Sequence, residues 1–282
     1  MTLFGKDVSP GSALMMPFLS CRIPEWVNVE TGITEEKVIR EHTASGYFGI
    51  VYRKKEKETL LSRIRMGEKC GCRISYKGSF ASPFLRYCPA CACEEKLEYG
   101  EMYWHRMHQL EGVSFCIRHR MPLVESDVRI HDTKRRFIPA SFALRDMYRK
   151  TLEECLGRFP SGSIKHEEKY GAIYRDIEWL MYNGAGTDGL DFIIPRYTSL
   201  LSVRGWIMED GGNVENVSLL KNDITMFFGK DFLEDLHLKV HEYLEWESIP
   251  PVVAKFMTPL QHVLMMEYLC GSAKRFFEDK AG

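Results

Sequence analysis

Nowhere in the 282 residues is there an uninterrupted apolar run of eighteen, so no stretch is long enough to cross a bilayer as a helix. The N-terminus lacks a basic segment followed by an apolar one, and no secretory signal is expected. The patterns that mark common catalytic chemistry are missing too: there is no HExxH, no Walker A loop and no GxSxG. A zinc nucleobase deaminase carries His-x-Glu upstream of Pro-Cys-x-x-Cys. Here the proline lies inside the cysteine pair, as Cys88-Pro89, and no His-x-Glu precedes it. These absences argue against an enzyme, and no catalytic residue is assigned.

Net charge is also nearly absent, at −1, but the balance is local. Residues 50–150 hold twenty-one Lys and Arg against twelve Asp and Glu, and the remainder is correspondingly acidic. A basic stretch of this kind suits an anionic partner, nucleic acid being the common case, or internal complementarity between the two halves. With 45% hydrophobic residues the chain can bury a sizeable core, as two or three subdomains.

The nine cysteines do not read as a disulfide framework. Four positions stand out: Cys88-Pro-Ala-Cys91 and, after 24 intervening residues, Cys116-Ile-Arg-His119. Two pairs with two-residue gaps let four side chains converge on one tetrahedral ion. Three thiolates and one imidazole leave no open coordination position, so Cys88, Cys91, Cys116 and His119 read as a structural Zn2+ site. Between the pairs, Tyr99, Tyr103, Met107 and Leu110 fall at helical spacing and predict a helix ending at Glu111-Gly112. Cys70-Gly-Cys72 has a gap too short for two ligands on one ion; with Cys93 and His105 or His108 it offers a second site as the weaker alternative. Cys21, Cys155 and Cys270 are isolated and read as buried or inert thiols.

The expected fold class is mainly α with small β elements: a knuckle–helix–knuckle zinc-finger module and a helical C-terminal domain. Thr34 caps a short helix whose first turn is acidic and whose last turn is basic. A second helix covers 54–66, with Leu60, Leu61 and Ile64 inward and Lys54, Lys55, Lys57, Arg63 and Arg65 outward. Residues 141–156 read as one amphipathic helix. Further helices are expected at 166–182, 195–204, 216–228 and 230–245, with a hairpin turn at 209–213. That order is compatible with a winged helix and equally with a generic helical bundle. The linker Pro160-Ser161-Gly162-Ser163 divides the chain. The resulting segments are 1–85 (N-terminal helical), 86–125 (zinc module), 126–160 (connecting helix and linker) and 161–282 (helical domain). Arg118 and Arg120, beside the second knuckle, and Lys134-Arg135-Arg136, in a basic loop, are the candidate phosphate contacts.

The zinc segment resembles the TniQ/TnsD family, target-site selectors of bacterial cut-and-paste transposons. The resemblance rests on Cys88 to Cys91, Gly100-Glu101-Met102-Tyr103-Trp104, His108-Gln109-Leu110, Gly112-Val113, Cys116, His119 and Pro122-Leu123. Tyr197 through Gly205 resembles the TnsD-type pattern Tyr-x-x-Leu-Leu-x-x-x-Gly. Pro259-Leu260-Gln261-His262-Val263-Leu264, Gly271-Ser272 and Phe276-Phe277 resemble another TnsD-type feature. Against that pattern the chain lacks the usual Tyr-Pro-x-Glu-x-x-x-Ser opening and stops before further helical segments, as a shortened version would.

The resemblance implies a bacterial, cytoplasmic, nucleoid-associated adaptor for DNA transposition. It would mark double-stranded target DNA, directly or through a DNA-bound complex. It would then recruit a TnsC-like AAA+ ATPase and, through it, other transposase subunits. The alternative is a TniQ-like subunit docking on a CRISPR ribonucleoprotein, where guide RNA supplies sequence choice.

Overall fold

The computed structural model describes residues 32–65, 81–130, 138–157, 164–207, 217–236 and 257–279. Cys70-Gly-Cys72, the basic loop at 134–136, the turn at 209–213 and the second half of the helix expected at 230–245 lie outside the described residues. In chain order the helices begin with α1 (Glu35–His42), α2 (Ser45–Gly49) and α3 (Lys54–Arg65). Strand β1 (Phe84–Tyr87) leads into α4 (Pro89–Tyr99), followed by β2 (Phe115–Cys116), β3 (Met121–Pro122) and β4 (Val124–Arg129). Then come α5 (Ala140–Ala143), α6 (Leu152–Gly157), α7 (Glu167–Asn183) and α8 (Leu190–Val203). The last four are α9 (Val217–Phe228), α10 (Lys230–Asp235), α11 (Pro259–Cys270) and α12 (Ala273–Glu278). The chain forms two compact units, residues 1–44 with 60–167, and residues 45–59 with 168–282.

In the first unit, Thr34 caps α1 as its sequence suggests, its side chain accepting from the Lys37 amide at 3.1 Å. The metal-module framework is two small antiparallel pairs. One joins β1 to β4 with an irregular register after Phe84; the other is a hairpin pairing Phe115 with Pro122 and Cys116 with Met121. The helix expected at 99–110 is displaced. Pro89 takes the first helical position of α4, and Gly100, at φ 76°, ends it in the left-handed conformation that lacks a Cβ penalty. Residues 102–105 then run without regular structure into a short 3-10 turn, Met107–Gln109. Tyr99 and Tyr103 are consequently half exposed, their rings meeting edge to face, and do not form an inward stripe.

The amphipathic helix read at 141–156 is three pieces: α5, a 3-10 segment at Arg145–Arg149, and α6. Thr151 and Glu154 form a reciprocal capping box. The Glu154 amide donates to Thr151 Oγ1 at 3.2 Å and the Thr151 amide to Glu154 Oε2 at 2.7 Å. Thr-Leu-Glu-Glu is therefore a helix start inside an apolar periodicity. Leu144 and Met147 are buried as expected, but Phe142 is exposed.

In the second unit, α7 buries Tyr170, Ile173, Tyr174, Ile177, Leu180 and Met181, the face its 3.6-residue period marks out. The start of α2 crosses the end of α7 at glycines. A Cβ on Gly46 would lie 2.4 Å from the Met181 carbonyl oxygen, and one on Gly184 would lie 2.3 Å from that of Gly46. Lys57, expected outside, is buried. Its Nζ donates to the Gly184 carbonyl at 2.9 Å and to the Thr187 carbonyl, so the ammonium ties down the turn that follows α7. Burial pushes its ammonium down to about 8.

Helix α8 begins at Leu190, not 195. Pro195 lies within it, and the buried series Leu190, Ile193, Ile194, Tyr197 and Leu201 continues across the proline. Helix α11 is buried along most of its length. It opens on a second capping box, Thr258 with Gln261, and ends at Gly271, φ 72°. Tyr197 and His262, from the two C-terminal motif segments, meet in this core with Oη and Nδ1 3.0 Å apart, and Phe276 packs on Tyr197 at 5.2 Å.

Asp176, on α7, is buried with Oδ1 accepting from the Ala273 amide at 2.8 Å. Burial pushes its carboxyl up to about 7, and the nearby Glu267 carboxylate adds to the effect. The Ala273 hydrogen bond and the Arg175 cation oppose it. Its ordinary value is 3.8, so between about 4 and 7 the folded state holds a proton that the unfolded chain has released. Stability therefore falls as pH rises through that window. Asp176→Asn keeps the acceptor for Ala273 without the charge. The expected result is a flatter stability–pH profile and a melting temperature a few degrees higher at pH 8. Thermal denaturation of both proteins at pH 5 and pH 8 checks it.

Candidate metal centre

The first two ligands come from one helix start. Cys88 is the extended N-cap residue of α4, and Cys91 sits in its first turn, so both sulfurs lie at the positive end of the helix dipole, which favours thiolates. The other two come from the β2–β3 hairpin. Cys116 ends β2, and His119 lies in the tight turn, which closes with the Arg120 amide donating to the Cys116 carbonyl at 2.7 Å and Arg120 at φ 52°.

The four donor atoms all lie within 4.8 Å of one another. His119 Nδ1 is 3.6 Å from Cys88 Sγ, 3.3 Å from Cys91 Sγ and 3.7 Å from Cys116 Sγ, and the Cys91 and Cys116 sulfurs are 3.6 Å apart. A tetrahedral zinc with ordinary bond lengths has S···S edges of about 3.8 Å and S···N edges of about 3.6 Å. The arrangement has the dimensions of one coordination tetrahedron, and the group can hold a metal ion. Cys88, Cys91 and Cys116 are buried, with Ala90, Met121, Leu123 and Leu152 packed around them. Three thiols this close cannot all ionise in the absence of a cation. Hydrogen bonds from Cys88 and Cys91 hold Cys116 below the usual thiol range, while the same contacts push Cys91 up and Cys88 up to about 11. A divalent ion removes that conflict by drawing all three to the thiolate.

A surrounding layer of residues orients the ligands. Glu94 lies three residues after Cys91, hence on the same face of α4. Its Oε1 is 3.0 Å from His119 Nε2, at ion-pair distance without hydrogen-bond alignment, and its Oε2 is 2.8 Å from Arg118. With the carboxylate against its far nitrogen, the ring presents Nδ1 to the sulfurs. Glu94→Gln is expected to weaken metal affinity by about 10- to 100-fold while leaving one ion bound per chain, as competition with a chromogenic chelator would measure. The sequence gives no direct sign of Glu94; the cue is its i+3 spacing from Cys91, visible only once the helix is known to start in the knuckle.

His108 is buried, with its ring 4.7 Å from that of His105; burial holds its imidazole below the ordinary range. His105 pairs with Glu95. Cys93 faces Cys155, so neither histidine joins it, and the second site is not assembled among the described residues. Cys155 is likewise not isolated. Trp104 donates from Nε1 to the Ile138 carbonyl at 2.8 Å and packs against Leu85, Val128 and Ile130, a core anchor. Of the candidate phosphate contacts, Arg118 pairs with Glu94 and Arg120 with Glu167, both arginines staying largely exposed. Lys134, Arg135 and Arg136 lie outside the described residues.

Among the described residues no helix is long and apolar enough to cross a membrane. The TniQ family model matches residues 9–123, a stretch that contains all four members of the cluster and ends just after the β2–β3 hairpin. No curated protein matches the chain.

Proposed function

We propose that this protein is a non-enzymatic target-selection adaptor for DNA transposition. A structural Zn2+ on Cys88, Cys91, Cys116 and His119 would fix the module that does the docking. The observation that carries this reading is the coincidence of the TniQ match over residues 9–123 with a closed Cys3His set inside it. Four protein ligands fill a zinc tetrahedron and leave no place for a reacting water. The ion's contribution is then to folding, where a small module cannot bury enough apolar surface by itself.

The finer reading is a TnsD-type selector that contacts double-stranded target DNA and recruits a TnsC-like AAA+ ATPase. Its support is the second set of motif residues, Tyr197 to Gly205 and Pro259 to Phe277, together with the basic excess of residues 50–150. Phosphate contact is assigned to Lys134, Arg135 and Arg136, and to Arg118 and Arg120. The two knuckle arginines must give up carboxylate partners to reach DNA, so the loop residues carry the larger share. A gel shift against target DNA, titrated with salt and run with and without the ATPase, tests this. Reversing the three loop charges is expected to weaken binding and to flatten the slope of log K against log salt by up to about 3, near 0.9 for each phosphate lost. An unchanged slope removes the loop from the interface. Binding that requires a guide-RNA complex in place of free DNA would move the protein to the RNA-guided class.

A further inference from the structure

Two cysteines outside the metal cluster face each other. Cys93 sits on α4, two residues beyond Cys91, and Cys155 on α6. Their Sγ atoms are 2.8 Å apart, and each residue is only 1% exposed. They lie among Ala92, Met102, Ala140, Leu144 and Met147, with Tyr87, Trp104 and Leu152 at the margin. Both are reduced in this structure, and neither belongs to the metal-ligand set. In this apolar pocket Cys93 has only distant backbone acceptors, the carbonyls of Lys150 and Thr151 at 4.0 and 3.8 Å. Nothing in the metal chemistry accounts for a second pair of thiols placed sulfur to sulfur.

We propose that Cys93 and Cys155 are an oxidative modification site, closing to an intramolecular disulfide that fastens the metal-bearing helix α4 to α6. The oxidant is hydrogen peroxide. One thiol sulfur attacks the peroxide: an S–O bond forms, the O–O bond breaks, and the departing oxygen leaves as water with the thiol's proton. The second thiol then displaces hydroxide from the resulting sulfenic acid: the S–S bond forms, the S–O bond breaks, and a second water leaves. Two thiols lose two electrons and one peroxide is reduced to two waters. Burial restricts the oxidant to moments of local opening, so the reaction is slow but ends at one partner, because no other described cysteine pairs with Cys93. The bridge spans a loop of roughly 60 residues, and closing a loop of that length constrains the unfolded chain strongly. Helix α4 would stay seated on α6 even when the neighbouring thiolates are disturbed.

The test treats the full chain, as purified with its metal, with hydrogen peroxide. The product is then alkylated, digested without reductant and mapped by mass spectrometry. The expected product is a peptide pair linked through Cys93 and Cys155, released by dithiothreitol. The oxidised protein should melt about 5 °C or more above the reduced one. Cys155→Ala should abolish both the link and the shift, and Cys270→Ala should keep both. Recovery of Cys93 as an alkylated thiol, as a sulfinic acid or linked to any other cysteine overturns the site. A linked protein that melts no higher than the reduced one overturns the fastening of α4. The map of the unmutated protein decides the first point even if Cys155→Ala does not fold.

Discussion

Cys88→Ser and His119→Ala should each release the metal and unfold residues 86–123, where Glu94→Gln only loosens it. The magnitudes separate the two outcomes. Structural zinc contributes about 10–16 kcal/mol to small modules of this kind. A whole domain is stable by only about 5–15 kcal/mol. Losing a ligand leaves three buried donors with no cation between them, and the thiol crowding at Cys116 returns. The hairpin of Phe115–Cys116 and Met121–Pro122 pairs two residues on each side, too short a ladder to survive on its own. By contrast, an outer carboxylate is worth about one or two powers of ten in affinity. Metal content by mass spectrometry should fall from one ion per chain to none in both ligand variants. Far-ultraviolet circular dichroism should lose the contribution of α4. Cys93→Ser, equally buried and on the same helix, should keep its ion; a variant of Cys88 or His119 that also kept one would remove that residue from the ligand set.

The contrast between Cys88 and Cys93 also marks what the sequence could carry. Ligand spacing is local: a two-residue gap in each pair is enough to identify Cys88, Cys91, Cys116 and His119 before any fold is known. Helices whose apolar period runs clear of breakers were equally legible, and α7 buries the residues its pattern names. Errors gathered where a local signal competed with a periodic one. The capping box at Thr151 and Glu154 cuts a helix that periodicity joins, and Pro195, where the pattern predicts a start, lies within a buried series that passes through it. The knuckle proline Pro89 opens α4 inside the ligand pair, which moved the helix ten residues upstream of its expected start. Long-range partners left no trace in the pattern. Lys57 reads as one more exterior lysine until the Gly184 and Thr187 carbonyls come within its reach, and Cys93 gains meaning only when α6 brings Cys155 beside it.

Gln109 is the strongest case of a motif residue whose role only the fold explains, and its replacement should cost nearly as much as a core truncation. It is 1% exposed, in the 3-10 turn that follows the extended segment after α4. Its Oε1 accepts from the Arg86 amide at 2.8 Å, and its Nε2 donates to the Arg86 carbonyl at 2.7 Å and to the His105 carbonyl at 2.9 Å. One side-chain amide thus pairs with both backbone groups of a β1 residue, as a neighbouring strand would, and holds the 3-10 turn against β1. Gln109→Leu fits the volume but strands these buried backbone groups, each worth about 1–3 kcal/mol when left unpaired. The expected loss is about 3–5 kcal/mol of stability by urea denaturation, with the metal still bound at low denaturant because no ligand is touched. Gln109→Glu keeps an acceptor for the Arg86 amide but turns a buried carboxylate oxygen towards the Arg86 and His105 carbonyls, so at neutral pH it should cost at least as much as Gln109→Leu. Equal stability of Gln109→Leu and the parent would mean that water or a shifted turn satisfies Arg86, and that the glutamine is not what seats the segment between the knuckles.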